Sequence, residues 1–325
     1  MPSVRTIITG LCALAPLAAA APAGIDARQE SSSASASATS SGAAPAATSS
    51  AAAAPAAPAA GGGLSDVDIL QFALTAEHLE STFYSQGFQK FPMSDFQALG
   101  LTDTQIKSLM GVGQTEATHV TTLQSAIAGA GAKPVEPCTY NFDAALKDAK
   151  TMVATARVLE AVGVSAYLGA APLVNSSDVL TAAATIVTVE ARHQAFIRVA
   201  SGAEPVPAAF DTPLGPRAVF TLAAQFIQSC PEGSNLNIQA FPSIALQNPE
   251  QAAVGSNLKL ADTANPAGAQ FCAFVAPGGT QFSQLSGGNC VVPQNLAGEV
   301  YMMITKSQSV ADAEVLAGPS VIQPS

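Results

Sequence analysis

Two of the three histidines in the sequence follow a glutamate by three residues. The pairs are Glu116 with His119 and Glu190 with His193, and each lies in a stretch whose apolar residues recur at helical spacing. Residues i and i+3 of an α-helix share a face, so each pair can present a carboxylate and an imidazole to one point. Proteins use these two groups together as ligands for transition-metal ions. The spacing therefore predicts two metal-binding helices.

Two further glutamates, Glu77 and Glu160, lie on the apolar stripes of two other predicted helices. One Glu from each of two helices and a Glu-x-x-His from each of two others form the ligand set of a carboxylate-bridged two-metal centre in a four-helix bundle. Glu77 is followed seven residues later by Tyr84, and Glu160 by Tyr167, which indicates an internal repeat of two helical hairpins. The tyrosines are interpreted either as core aromatics or as hydrogen-bond donors to ligating carboxylates.

A single Glu-x-x-His is most often a solvent-facing pair, because glutamate is a good helix former. That explanation does not suit four glutamates on four apolar stripes, because the stripes carry no lysine or arginine. Burying four carboxylates without compensation would cost several kcal/mol each, and two divalent cations would cancel their charge. Oxygen-rich ligation with one imidazole per metal favours two iron or manganese ions over structural zinc, while copper stays open on affinity grounds.

Glu80, one helical turn from Glu77, is the alternative ligand on the first helix. We prefer Glu77, because its tyrosine at +7 matches the pair in the other half of the repeat. His78 points away from the apolar stripe and is expected at the surface. Arg157 and Arg192 are interpreted as flanking surface charges, although either could pair with a ligand carboxylate.

Capping boxes and apolar spacing predict the helices. The four bundle helices are expected over about 65–84, 103–129, 143–171 and 177–201, and a shorter amphipathic helix over 217–229. Short extended runs separated by glycine pairs then predict a small β module, with strands near 257–260, 271–275, 290–292 and 300–304.

The sequence divides into four predicted segments. Residues 1–20 have an early arginine, an apolar run and a small-residue end, which is typical of a secretory signal peptide. Residues 21–63 are rich in serine, alanine and proline and predict a disordered stalk. Residues 64–230 form the predicted bundle and 231–325 the β module. We therefore expect a secreted protein, extracellular or attached to the cell wall, with no later segment that spans a membrane.

Four cysteines remain after the predicted signal peptide: Cys138, Cys230, Cys272 and Cys290. An even number in an oxidising compartment predicts two disulfides, and none has the close spacing of a zinc or redox pair. Of the three pairings, we favour Cys272 with Cys290 inside the β module and Cys138 with Cys230 across the bundle. Asn175 heads a glycosylation sequon between two predicted helices.

The formal net charge of −10 argues against partners that carry negative charge. Nucleic acid and anionic membrane surfaces are both disfavoured on this ground. The charge is explained more simply by solubility in an acidic extracellular medium.

The sequence resembles the secreted fungal ferritin-like proteins, which include stress-response and late sexual development proteins. The stretches that carry the resemblance are 72–80, 116–120, 157–167 and 189–194. It covers residues 64–229 and, more loosely, the tail. The fold that the resemblance implies is mainly α, a ferritin-like four-helix bundle with an extra helix and a small C-terminal β module. The family is linked to nutrient stress, desiccation or development.

The ferritin-like pattern also implies a role for each ligand. Glu77 and Glu160 would be terminal ligands, Glu116 and Glu190 would bridge, and His119 and His193 would each bind one metal. We expect such a centre to act on dioxygen or peroxide, as an oxidase, a ferroxidase or a peroxide-consuming enzyme. The alternatives are a metal-binding protein without turnover and a structural stress protein of the cell wall or matrix. A mineral-storing cage is disfavoured, because the stalk and the β module would have to lie outside any shell.

Overall fold

The computed structural model describes residues 64–233, 238–261 and 266–324. The predicted signal peptide and stalk lie outside the described residues. In the described part, four long helices are joined to two short helices and a set of β-strands. The helices are α1 (Asp66–Lys90), α2 (Met93–Gln97), α3 (Asp103–Gly129), α4 (Ala149–Ala170), α5 (Ser177–Ala200) and α6 (Pro216–Ala223). The strands are β1 (Thr139–Tyr140), β2 (Ile227–Ser229), β3 (Asn257–Lys259), β4 (Phe271–Ala276), β5 (Gly279–Gln284), β6 (Asn289–Val291), β7 (Val300–Thr305) and β8 (Val315–Ile322).

Both predicted capping boxes are formed. Ser65 caps α1 with Asp68, and Thr102 caps α3 with Gln105; in each box the two side chains accept hydrogen bonds from each other's backbone N–H groups. α4 begins later than its sequence indicates. Its N-cap is Asp148, not Asp143, because the Asp148 carboxylate accepts the N–H of Thr151 at 2.7 Å.

The four long helices pack as two hairpins, α1 with α3 and α4 with α5, which are the two halves of the sequence repeat. The buried side chains form an aromatic-rich cluster at one end of the bundle and an aliphatic cluster at the other. Burial of a Leu, Ile or Phe side chain contributes roughly 1.5–3 kcal/mol. The mid-helix glutamates lie between these two clusters, so the apolar faces that form the core also enclose them.

α4 is the most buried of the long helices. With the 3₁₀ turn that follows it, Ala149–Leu173 is the one helix among the described residues that is long and apolar enough to cross a membrane by length and composition. No membrane-spanning segment was predicted here from the sequence. Most of this helix, 67% of its apolar window, is buried inside the bundle, and that position explains its composition.

The C-terminal strands form an antiparallel four-stranded sheet in the order β5-β4-β7-β8. β3 pairs with β6 beside it. Two strands were not predicted from the sequence: β5, whose residues are mostly polar, and β8, which contains Gly318-Pro319. Both are edge strands of the sheet, where polar residues and proline are tolerated.

The predicted fifth helix over 217–229 was too long. α6 ends at Ala223, and Ile227–Ser229 instead pairs with β1, where Phe226 O also accepts the N–H of Asn141 at 2.8 Å. Next to this pairing the structure forms the Cys138–Cys230 disulfide, and Cys272 is bonded to Cys290 inside the sheet module. These are the two pairings that the sequence favoured.

Two residues expected at the surface take part in internal contacts. His78 is 6% exposed, and its Nε2 lies 3.2 Å from the carbonyl oxygen of Val135. Arg157 donates from Nε to Glu299 at 2.6 Å, and the buried Arg198 donates to the same carboxylate. The sequence could not place them because Val135 and Glu299 are distant in the chain and adjoin these residues only in the fold.

Candidate metal centre

Six predicted ligands come together at the middle of the bundle. α1 supplies Glu77, α3 supplies Glu116 and His119, α4 supplies Glu160, and α5 supplies Glu190 and His193. All four carboxylates are 0% exposed, and the two imidazoles are 8% and 7% exposed. The i, i+3 spacing that the sequence provides thus aims both Glu-x-x-His pairs at the bundle axis.

The ligand atoms divide into two overlapping groups. One contains Glu77, Glu116, His119 and Glu190; the other contains Glu116, Glu160, Glu190 and His193. Within each group the ligand atoms all lie within 4.8 Å of one another. Glu116 and Glu190 belong to both groups, which is the geometry of two adjacent cation positions with two shared carboxylates.

The imidazole of His119 points its Nδ1 into one of these groups. Nδ1 lies 3.0 Å from Glu116 Oε2, 3.0 Å from Glu190 Oε1 and 3.3 Å from Glu77 Oε2. A proton on Nδ1 can serve one of these oxygens at a time. One proton cannot satisfy three carboxylates. The arrangement of three carboxylates around Nδ1 is therefore better suited to coordinating a cation than to hydrogen bonding.

His193 points its Nδ1 into the other group. Nδ1 lies 2.7 Å from Glu116 Oε1 and 3.3 Å from Glu160 Oε2, yet it forms a hydrogen bond with neither. The second ring nitrogen, Nε2, lies 2.9 Å from Thr115 Oγ1, which could accept an Nε2–H and so leave Nδ1 free for a cation. Thr115 was not predicted, because a threonine one residue before a ligand carries no signal in the sequence.

Several buried polar atoms at the centre have no hydrogen-bond partner in the part of the chain that the structure describes. They are Glu77 Oε2, Glu116 Oε1, Glu160 Oε2, both carboxylate oxygens of Glu190, and His193 Nδ1. Buried polar atoms are normally hydrogen-bonded, and an unpaired buried charge is costly. The unpaired atoms converge on one volume, and a cation placed there would satisfy them together. The residues thus fit a metal site.

Each tyrosine of the repeat forms a hydrogen bond with a glutamate of the other hairpin. Tyr84 in α1 donates its hydroxyl hydrogen to Glu160 in α4, and Tyr167 in α4 donates to Glu77 in α1 at 2.5 Å. Burial raises the pKa of both tyrosines well above its ordinary value, so each hydroxyl keeps the proton that it donates. Each half of the repeat thereby fixes one glutamate of the other half.

The pKa values at the centre describe how it is charged when no cation is bound. Burial would lower the pKa of His119 and of His193, but the surrounding carboxylates outweigh burial and raise them to about 12 and about 10. Burial raises the pKa of Glu190 to about 8. For Glu116, the hydrogen bond from His119 and the positive charge of His193 outweigh burial and lower the pKa to about 2. Two imidazolium groups are then the counter-charges, in the place where two cations would lie.

Glu80 is a fifth carboxylate beside the centre. It is 4% exposed, and among the described residues it has no hydrogen-bond or ion-pair partner. From the sequence, Glu80 was the alternative to Glu77 as the ligand on the first helix. In the structure both side chains are buried. Their i, i+3 spacing, the same as in the Glu-x-x-His pairs, was the signal that they share a face.

Asn175 lies at the surface, just before α5. Its backbone N–H donates to Asp66 Oδ1 at 2.7 Å, and the side chain is exposed. Glycosylation at this residue stays a prediction.

The comparisons with known proteins agree with this geometry. A family model of the ferritin-like domain matches residues 65–203, the range that contains α1 to α5 and all six clustered ligands. The chain therefore contains a ferritin-like domain, and the predicted fold class is confirmed.

The chain is also similar to protein rds1 of Schizosaccharomyces pombe, with 28% identity over 186 residues. The match covers 57% of this chain and 45% of that protein, so the chain spans less than half the length of this relative.

Proposed function

We propose that the protein binds two iron or manganese ions in the bundle and uses them in a reaction with dioxygen or peroxide. The observation that carries this proposal is the set of unpaired buried oxygens and nitrogen that converge between the four helices. In the proposed arrangement Glu77 and Glu160 are terminal ligands and His119 and His193 bind one metal each. Glu116 and Glu190, which belong to both groups of ligand atoms, would bridge the two metals.

Two redox-active ions held side by side can exchange two electrons with dioxygen or peroxide. The chain contributes positioning and enclosure. Tyr84 and Tyr167 orient the two terminal carboxylates, and Thr115 orients the ring of His193. The apolar clusters at both ends of the bundle keep bulk water away from the carboxylates.

Elemental analysis of the purified protein tests the metal centre. We expect close to two iron or manganese ions per chain, and a large loss of both in the double variant Glu116→Gln/His119→Ala. Glu204→Gln is the matched control, since Glu204 is exposed and outside the cluster. A folded wild-type protein that stays free of metal after reconstitution with ferrous iron or manganese(II) would overturn the proposal.

Metal binding without turnover is the second candidate, and the complete burial of all four carboxylates favours it. Oxygen consumption separates the two candidates. Ferrous iron added to the wild type should accelerate oxygen uptake if the centre reacts, and the double variant should not accelerate it. Tight binding of two ions with no oxygen or peroxide consumed would leave sequestration as the function.

We also propose that the protein acts outside the cell. The two disulfides are compatible with an oxidising compartment, and the resemblance to fungal stress-response and developmental proteins supports a role in stress or development at the cell wall or matrix. Intact mass and N-terminal sequencing of protein recovered from the culture medium test this. A mature chain that begins near residue 21 is expected, and an intracellular chain that retains Met1 would contradict secretion.

A further inference from the structure

Glu80 is a buried carboxyl group without a hydrogen-bond or ion-pair partner among the described residues, and no lysine or arginine there joins the glutamates at the middle of the bundle. An ionised carboxylate is costly in a protein interior unless a cation compensates it. In the metal-free protein, burial and the cluster carboxylates raise the pKa of Glu80 well above its ordinary value. A cation bound beside Glu80 would take the place of its proton.

Gly163 on α4 brings Glu80 close to the centre. A methyl group built on Gly163 would lie 3.1 Å from Glu80 Oε1 and also 3.1 Å from Glu190 Oε2. The two oxygens therefore face the same small gap from α1 and α5, and the absence of a side chain at Gly163 leaves that gap open. Glu190 is one of the two carboxylates that both ligand groups share.

On its other side Glu80 lines a cavity of about 250 Å³ between α1, α4, α6 and β8. That volume would hold roughly eight water molecules. Glu80 is the one charged residue of its lining, and the remaining walls are mostly apolar, with Leu159, Leu222 and Val321 among them. Among the described residues that line the cavity, the one carboxylate is thus the side chain that also faces Glu190 at Gly163.

We propose that Glu80 is a further metal ligand at the inner end of this cavity, and that a divalent cation reaches the centre through the cavity. The inference rests on the proposed two-metal function. Glu80 would bind the cation on the side of Glu190 that faces Gly163. This position gives the cation a charged group where the lining of the cavity adjoins the centre.

Titration of the metal-free protein with manganese(II) by calorimetry tests the role of Glu80 as a ligand. In Glu80→Gln we expect two ions still to bind, one of them at least tenfold more weakly, while Glu204→Gln binds as the wild type does. The metal-free variant should have the same helical circular dichroism as the metal-free wild type, because an amide replaces a carboxyl group of nearly the same size. A purely structural role for Glu80 would disturb the metal-free protein and would not weaken one ion selectively.

Unchanged binding of both ions by Glu80→Gln would overturn this inference and leave the two-metal centre intact. A wild type that binds no manganese(II) or ferrous iron would overturn the proposed function itself. The two failures are therefore distinguishable in one set of titrations.

The route through the cavity is tested by loading rates. Ala223 is a half-buried residue of α6 that lines the cavity, and the half-buried Ala224 next to it does not. In Ala223→Phe the disappearance of the electron paramagnetic resonance signal of free manganese(II) should be at least tenfold slower, with the same final stoichiometry. Ala224→Phe should load at the wild-type rate. Equal rates in the two variants would overturn the route.

Discussion

At the scale of single residues, the two crossed tyrosine hydrogen bonds make a specific prediction about metal affinity. Tyr84→Phe and Tyr167→Phe each remove one donor to a terminal carboxylate and leave the ring that packs in the core. Loss of such a supporting hydrogen bond typically lowers metal affinity about 10- to 100-fold. Calorimetric titration with manganese(II) should show this loss for one ion in each variant, with helical circular dichroism unchanged. Wild-type affinity in both variants would show that the rings act only by packing.

The pKa values at the centre predict how the stability of the metal-free protein depends on pH. The pKa of Glu190 is raised from 4.5 to about 8, so the folded chain binds a proton more tightly than the unfolded chain, and stability falls as pH rises from 5 to 8. The raised pKa values of His119 and His193 act in the same direction above pH 6.5. The lowered pKa of Glu116 affects stability only below about pH 4.5, where stability falls as pH falls.

The unfolding temperature in the presence of a chelator should therefore fall between pH 5 and pH 8. With saturating manganese(II) the trend should reverse, because cations displace these protons and bind more tightly as pH rises. A metal-free protein whose unfolding temperature rises across this interval would contradict the charge state deduced for the centre.

The sequence was most informative about the ligands themselves. Residue type and i, i+3 spacing on a helix place Glu190 and His193 on one face whatever the rest of the fold does. Thr115 and the burial of Glu80 depend on which helix lies opposite and at what depth. Such information is contained in tertiary packing and not in local spacing.

At the scale of secondary-structure elements, two glycines in long helices predict opposite effects of the same substitution. A methyl group on Gly169 in α4 would lie 1.9 Å from the carbonyl oxygen of Leu214, whose own N–H donates to Ser165 O, so backbone must move to admit it. We expect Gly169→Ala to destabilise the protein by about 1–3 kcal/mol. Gly111 in α3 has open space around it, and Gly111→Ala should stabilise by up to about 1 kcal/mol. Urea unfolding of the two variants measures both effects, and a stable Gly169→Ala would contradict the close approach.

The helices were easier to predict than the strands. Ser65 and Thr102 cap α1 and α3 through side chains three residues away, so both starts are encoded locally. The end of α6 depends on a strand pairing with β1, which is far away in the chain. β5 and β8 are recognisable only once β4 and β7 lie beside them.

At the scale of the whole molecule, one buried carboxylate joins the sheet module to the bundle. Glu299, just before β7, accepts from Arg157 on α4 and from Gln194 and Arg198 on α5. Breaking a buried ion pair by removing one partner costs about 3–5 kcal/mol, since the other charge is left uncompensated. Glu299→Ala should lose stability of that order in urea unfolding, whereas Glu204→Gln near the same arginine should change it little. A cost below 1 kcal/mol would show that water replaces the carboxylate.

The Cys138–Cys230 disulfide also determines how the molecule responds to proteases. The bond encloses the segment between α5 and α6, in which Val206 and Phe210 are both 70% exposed. A protease would cut first in such an exposed connection. A single cut there would leave the two pieces covalently joined, and all six candidate ligands lie on the N-terminal piece. Nicked protein would therefore run as one species on a gel without reductant and as two with it, while keeping its metal.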